Sequence, residues 1–292
     1  MRKVLVFGQS GQVAQSLADI TAPELDIKCV GRPSGDITNI DSVASAVDAF
    51  EPDIVVNAAA YTAVDKAEDE EDLAFAVNRD GPRNLAQVCQ RAKVPLVHYS
   101  TDYVFDGTGE NAWVETDQTS PLGVYGRSKL AGEHAIREVF DDHYILRTAW
   151  VYSPYGQNFV KTMLRLGRER DELNVVDDQI GNPTYAPDIA AATLSLIESG
   201  ASESANFGTY HLAGVGSTSW YEFAKFIFEE AQRLSDIQCT VNPIPSSAYP
   251  TPAERPRNSR LDSSKLFGIH SVKLPKWQDS VQRCLKVLIK GI

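Results

Sequence analysis

The sequence predicts an α/β fold: a doubly wound parallel sheet with a smaller C-terminal α/β domain. Three observations carry that prediction. Short apolar runs alternate with helical patterns through the first half of the chain, a glycine loop follows the first apolar run directly, and the texture changes after residue 152. Strands alternating with helices imply right-handed β-α-β units and a sheet covered on both faces.

Taken in order, KVLVF (3–7) reads as a fully buried strand, and GQSGQVAQSLADI (8–20) as a loop entering a helix. DIKCV (26–30) and DSVASAVDAF (41–50) follow as strand and helix, and DIVVN (53–57) as a third strand. Residues 74–92 read mainly as a helix, PLVHYS (95–100) as a fourth strand, and HYILRTAWVY (143–152) as a fifth. Beyond this point come helical patterns at 158–170 and 220–234, a mixed segment at 173–190, and the proline-rich stretch 242–261, which proline keeps from being regular over most of its length. The expected division is therefore 1–152, a dinucleotide-binding domain, and 153–292, mainly substrate-binding, with some segments returning to the sheet.

Composition excludes several function classes. With 43% hydrophobic and 23% charged residues over 292 positions, the chain is an ordinary globular one, long enough to bury its own core. A formal net charge of -11 disfavours nucleic acid as a partner, because holding phosphates along a duplex needs clustered Lys and Arg. Four widely separated cysteines lack metal-ligand spacing and fit a reducing compartment. No apolar run reaches 18 residues, so no membrane span is expected, and the location expected is the cytoplasm.

The chemistry begins at VLVFGQSGQVAQSL, where Gly8, Gly11 and Ala14 stand at G-x-x-G-x-x-A spacing. Gly8 allows a tight turn, Gly11 lets the backbone approach a pyrophosphate, and Ala14 lets the helix lie close to the sheet. This is the Rossmann-type arrangement, and it assigns Gly8, Gln9, Ser10, Gly11, Gln12 and Val13 to a dinucleotide. The second strand ends in Gly31-Arg32-Pro33, without the acid that holds ribose hydroxyls in an NAD site. Arg32 suits a 2′-phosphate, which favours NADPH while leaving NADH possible, and Asp36 and Ile37 are candidates to hold the adenine.

VYGRSKLAGE (124–133) carries Tyr125 and Lys129 one helical turn apart, on one face. A phenol is ordinarily too weak an acid for neutral pH, and a neighbouring ammonium is expected to lower its pKa. Tyr125 then hands a proton to a carbonyl oxygen as hydride reaches the carbon. Upstream, HYSTDYVFDG (98–107) follows the fourth strand, where α/β proteins bind ligands. Ser100 and Thr101 offer hydroxyls to the same carbonyl, and Asp102 an acceptor for a sugar hydroxyl.

With VNAAAYTAVDKAE (56–68) and RTAWVY (147–152), these motifs resemble the extended short-chain dehydrogenase/reductases. DQIGNPTYAPDIA (178–190) and YPTPAERPRNSRL (249–261) narrow the resemblance to members acting on dTDP-linked 4-keto-6-deoxysugars. It runs nearly end to end. It implies reduction of the C4 carbonyl of dTDP-6-deoxy-L-lyxo-4-hexulose to dTDP-L-rhamnose. It also implies that Tyr125 is the acid, Lys129 its partner and Thr101 the assisting hydroxyl. Asp102 and Trp150 match substrate-contacting positions, and Ala58, Ala59 and Ala60 the wall beside the cofactor. Of Arg255, Arg257 and Arg260, Arg255 is the first candidate for the substrate's diphosphate.

Two alternatives remain open at this point. One is a non-catalytic nucleotide-binding subunit like the regulatory β subunit of methionine adenosyltransferase, and the other a reductase of a different nucleotide-linked 4-ketosugar. Some family members dimerise around a divalent metal held by carboxylates. The matching positions here are Gln15 and Pro187, so no metal site is expected, and a monomer or a differently built homodimer is.

Overall fold

The structure, a computed structural model, describes residues 1–200 and 206–291. The chain runs β1 (Arg2–Phe7), α1 (Gln12–Ala18), β2 (Leu25–Val30), α2 (Ile40–Phe50), β3 (Ile54–Asn57), α3 (Val64–Ala67) and α4 (Glu71–Phe75). A π-turn over Ala76–Asp80 leads into α5 (Gly81–Ala92), then β4 (Leu96–Thr101), α6 (Val124–Val139), β5 (His143–Thr148) and β6 (Val151–Tyr152). The second half holds α7 (Phe159–Glu169), β7 (Glu172–Val176), β8 (Ile180–Gly181), β9 (Thr184–Tyr185), α8 (Ala186–Gly200) and β10 (Gly208–His211). It ends with β11 (Thr218–Ser219), α9 (Trp220–Leu234), β12 (Thr240–Ile244), β13 (Asn258–Ser259), α10 (Ser264–His270) and α11 (Trp277–Lys290).

Six strands form the main sheet in the order β10-β5-β4-β3-β1-β2, all parallel. Val4, Leu5, Val6 and Phe7 are all fully buried, as expected of a strand covered on both faces. One face packs Ala14 and Leu17 of α1 against Ile189 and Ile197 of α8, and the other receives Val43, Leu85, Cys89 and Ile136 from α2, α5 and α6. The order reverses beside β1, which has β2 on one side and β3 on the other. Ligands bind at such a switch point, outside the carboxyl ends of the strands. The outermost strand, β10, comes from the second half of the chain and pairs with β5.

The second core is helical. Tyr152, Phe223, Trp277, Val281 and Leu285 meet between α7, α9 and α11. Three of the helices start on side-chain caps that their sequences announce. Asn39 accepts from Asp41 N and Ser42 N, Asn158 from Lys161 N, and Ser219 from Glu222 N.

The fifth strand departs from the sequence reading. It stops at Thr148, and Trp150 sits in the left-handed region at φ 48°. That turn breaks the run, so Val151–Tyr152 leaves the main sheet to pair with β9. The helix expected over 74–92 is likewise interrupted, because its first five residues after Phe75 widen into the π-turn. Gln15 lies in α1 and Pro187 in the first turn of α8, and these two helices pack together. Among the described residues no helix is long and apolar enough to cross a membrane.

Candidate active site

Every loop the sequence singled out in the first domain emerges at the carboxyl end of the main sheet. Gly8 leaves β1 at φ 125°, with its N–H bonded to Val30 O at 2.8 Å. A Cβ there would lie 2.9 Å from the Ala58 carbonyl carbon, so the turn after β1 fits against the turn after β3 only because residue 8 has no side chain. Gly11 follows as the N-cap of α1 and has no side-chain cap. Its free N–H groups and the neighbouring glycine backbone form a cradle that fits a pyrophosphate. Gln9, Ser10 and Gly11 are exposed at the lip, and Ala58, Ala59 and Ala60 line the facing wall.

The side chain of Gln12 is already committed. It donates to Val151 O at 3.3 Å and accepts from Ser153 Oγ at 2.8 Å and Asn158 Nδ2 at 2.9 Å, tying α1 to the chain beyond β6. Only the backbone of Gln12 and of its neighbour Val13 is left for a ligand. Arg32 is exposed beyond β2. Asp36 Oδ1 is occupied by Thr38 N at 3.0 Å and Thr38 Oγ1 at 2.8 Å. The Ile37 side chain lies in the core, 3% exposed, and its carbonyl accepts from Asn84 Nδ2 at 2.9 Å. The Ile37 side chain therefore serves the wall of α5, and only its backbone is left for an adenine.

Helix α6 is positioned from outside itself. Gly123 caps it without a side chain, and Glu68 Oε1 reaches in from the end of α3 to accept from Val124 N at 2.9 Å. Gly126 packs on the carbonyl of Tyr103 and Gly132 on that of Asn78, each closer than a Cβ allows. The small residues of VYGRSKLAGE thus let the helix lie directly on the turn after β4 and on the π-turn. Asn78 in that turn ties three segments. Its Oδ1 accepts from Tyr61 N at 2.9 Å, and its Nδ2 donates to Tyr61 O and to Ser128 Oγ, both at 3.0 Å. A π-turn is a rare element that concentrates at functional sites.

The side chains of Tyr125 and Thr101 come close enough for Thr101 to act on the Tyr125 phenol. Thr101 Oγ1 in turn donates to Asp102 Oδ1 at 3.0 Å and accepts from Tyr103 N at 3.2 Å. Burial pushes the Tyr125 phenol up to about 12, against the opposing help of Thr101. This corrects the expectation that Lys129 lowers it. Lys129 Nζ is turned away, donating to Tyr99 O at 2.7 Å with His98 Nε2 at 3.4 Å. Lys129 is 2% exposed, and burial brings its ammonium down to about 8. The sequence offered no sign of the His98 and Tyr99 partners, because a strand's inward residues are indistinguishable from plain core.

Beneath this pair lies an ion cluster that motif reading missed. Glu133, fully buried, accepts from Ser100 Oγ at 2.6 Å, from Arg147 Nε and Nη2 at 2.9 and 2.7 Å, and from Arg137 at 2.8 Å. The two guanidiniums hold its carboxyl below the ordinary range although burial works the other way. The cluster joins α6 to β4 and β5, fixing the helix that carries Tyr125. The one signal available was Glu133 itself, an acid four residues past Lys129 in an otherwise small-residue helix.

At the substrate end, burial lifts the Asp102 carboxyl to about 6, and Ser259 of β13 lies against it. Its Oδ2 is buried without a hydrogen-bond partner. Arg255 Nη2 pairs with Asp65 Oδ2 at 2.8 Å, while its Nη1 is buried and unpartnered. An acceptor and a donor left open in this way fit a polar ligand, since unsatisfied buried groups are costly. Arg255 and Arg257 border a cleft of 640 Å³ that also includes Gly107, Thr108, Gln179 and Tyr249. Arg260 instead donates through Nε to Asn258 Oδ1 at 2.8 Å. Trp150 stacks on Trp220 with ring centres 3.5 Å apart and covers Gly181.

The comparisons with known proteins agree with this geometry. The RmlD substrate binding domain family matches residues 1–289. A dTDP-4-dehydrorhamnose reductase of Sinorhizobium fredii is 47% identical over 289 residues, covering 98% of each chain. That of Escherichia coli K12 is 44% identical over 291 residues, covering 98% of this chain and 97% of its own. A solved dTDP-4-dehydrorhamnose reductase from Bacillus anthracis, in complex with NADP, superposes with a TM-score of 0.90 at 40% identity, covering 97% of this chain and 99% of that one. The chain thus belongs to the RmlD family, that of the dTDP-4-dehydrorhamnose reductases.

Proposed function

We propose that this protein reduces the C4 carbonyl of dTDP-6-deoxy-L-lyxo-4-hexulose to give dTDP-L-rhamnose, with NADPH as the preferred cofactor. The observation that carries the reading is the approach of the Tyr125 side chain to Thr101 at the carboxyl end of β4, the end of the sheet at which the glycine loop also leaves β1. The turn Gly8–Val13, the wall Ala58–Ala60, Arg32 and Lys129 hold the cofactor, Asp36 edging the same end of the sheet. When bound, the nicotinamide supplies hydride to the carbonyl carbon.

The chain's own residues do the rest. Thr101, whose single proton rests on Asp102 Oδ1 in the free protein, turns its hydroxyl to the carbonyl oxygen beside that of Tyr125, and the two polarise it. Tyr125 then releases its proton to that oxygen, which leaves it as a phenolate. Asp102 Oδ2 accepts from a sugar hydroxyl, and Trp150 offers an apolar wall to the deoxy face. The nucleotide end enters the cleft beside Arg257, where Arg255 Nη1 donates to a diphosphate oxygen. Residues 1–152 mainly serve the cofactor and 153–292 the substrate. Four free cysteines, Cys29, Cys89, Cys239 and Cys284, suit the reducing cytoplasm, and with Gln15 and Pro187 in α1 and α8 the protein is a monomer or a dimer built without metal.

The test is direct. Protein, NADPH and enzymatically made dTDP-4-keto-6-deoxysugar should show loss of absorbance at 340 nm, with the rhamnosyl product identified by NMR. No turnover, or a product of different C4 configuration, overturns the reading. Arg255→Ala should raise the substrate KM by roughly 10-fold or more, the value of a charged hydrogen bond, while kcat changes little. Steady-state kinetics check this, and an unchanged KM removes Arg255 from the diphosphate site.

A further inference from the structure

The hydrogen bonds behind Lys129 run in one direction only, and that direction has a chemical consequence. Asn57 closes β3, and its Oδ1 accepts from Ala59 N at 3.1 Å. This fixes which way the amide faces: its Nδ2 must lie toward His98 Nδ1, 2.9 Å away. An amide nitrogen only donates, so His98 Nδ1 only accepts. His98 is fully buried, and burial with Lys129 and His143 nearby holds its pKa far below the ordinary value, so the ring is neutral. A neutral imidazole carries one proton, and here it must be on Nε2. That N–H faces Lys129 Nζ at 3.4 Å, while Nζ itself donates to Tyr99 O at 2.7 Å. An ammonium has three donors and no lone pair, so it meets the Nε2–H donor against donor. A neutral amine accepts from His98 and still donates to Tyr99.

We propose that Asn57 and His98 are positioning residues: a one-way chain of donors, Asn57 to His98 to Lys129, that favours Lys129 as a neutral amine while the protein is free of cofactor. Other groups act on the same lysine. Glu133, one turn further along α6, favours the ammonium, but its charge is matched by Arg147 from β5 and Arg137 from α6. His143 of β5 acts on His98 and is itself depressed by burial. Tyr125, one turn earlier, is held protonated by burial and brings no negative charge to the free protein. The low midpoint of Lys129, about 8, accords with the chain of donors. Its catalytic meaning rests on Lys129 as the partner of Tyr125. Within that reading a phenolate left by reduction is favoured by positive charge one helical turn away, so the relay sets the pH above which that charge is absent.

The test reads Lys129 itself, without cofactor or substrate, so it stands apart from any failure of the assay above. In protein labelled with ¹³C at lysine Cε, Lys129 is assigned by the signal lost in Lys129→Met and titrated by NMR. Its midpoint should lie well below the roughly 10.4 of exposed lysines. Asn57→Asp keeps an acceptor for Ala59 N but presents a second acceptor to His98. The ring proton then moves to Nδ1, Nε2 becomes an acceptor, and the Lys129 midpoint should rise by about one pH unit or more. His98→Leu, which adds no charge and removes the Nε2–H that faces Nζ, should raise it too. A merely structural role for His98 would alter melting temperature without moving this midpoint. The proposal is overturned if wild-type Lys129 titrates with the exposed lysines, if neither variant moves it, or if only the charged variant does. Should His98→Leu fail to fold, long-range ¹H–¹⁵N spectra of wild-type His98 decide the tautomer: a proton on Nε2 supports the relay, and one on Nδ1 overturns it.

Discussion

Tyr125→Phe should lower kcat by roughly 10²- to 10⁴-fold while leaving NADPH affinity close to wild type. The substitution deletes one oxygen. The ring keeps its edge-on contact with Tyr103, at a centroid distance of 5.5 Å, so α6 stays in place. What is lost is the proton and the second donor to the carbonyl oxygen. Thr101 stays anchored by Tyr103 N, so the residual rate reports the polarisation its hydroxyl gives when it turns from Asp102 Oδ1 to the carbonyl. Stopped-flow single turnovers and fluorescence titration with NADPH separate the two quantities. A variant retaining more than a tenth of the wild-type single-turnover rate would mean that another group supplies the proton.

The second large effect is on stability. Glu133→Ala should destabilise the protein by about 3–5 kcal/mol, because it strands a buried charge. Arg147 is 3% exposed and spends Nε and Nη2 on this carboxylate, and its Nη1 has no partner even with Glu133 present. Removing the acid leaves a buried guanidinium with nothing opposite it and frees the Ser100 hydroxyl as well. Urea denaturation followed by circular dichroism gives the loss directly. The double variant Glu133→Leu with Arg147→Met should recover a good part of it, because it removes both charges together. Were the single variant within about 0.5 kcal/mol of wild type, the cluster would carry no structural weight.

The sequence disclosed what depends on local pattern. The buried run before Gly8, the turn after it and the helix bearing Tyr125 and Lys129 each announce themselves within a dozen residues, and the alternation of strands and helices follows from periodicity. The doubly wound sheet was legible for that reason. The end of the fifth strand was not, since HYILRTAWVY is apolar and β-branched enough to continue. Its interruption at Trp150 comes from tertiary packing on Trp220 and Gly181. The supports of the site were hidden for a related reason. Asn57, Glu68, Asn78, His98 and Arg147 lie on different elements, and each looks ordinary until the sheet brings it to α6. The direction in which Lys129 faces belongs to this hidden class. Spacing put it on the same helical face as Tyr125, but buried acceptors on β4 decide where its nitrogen goes.

The indole that covers Gly181 binds two distant positions into a single unit of inheritance. A Cβ on residue 181 would lie 2.5 Å from the Trp150 ring, so no larger side chain can arise there while tryptophan persists at 150. In a lineage where the ring shrinks, that veto lifts, and residue 181 is free to enlarge.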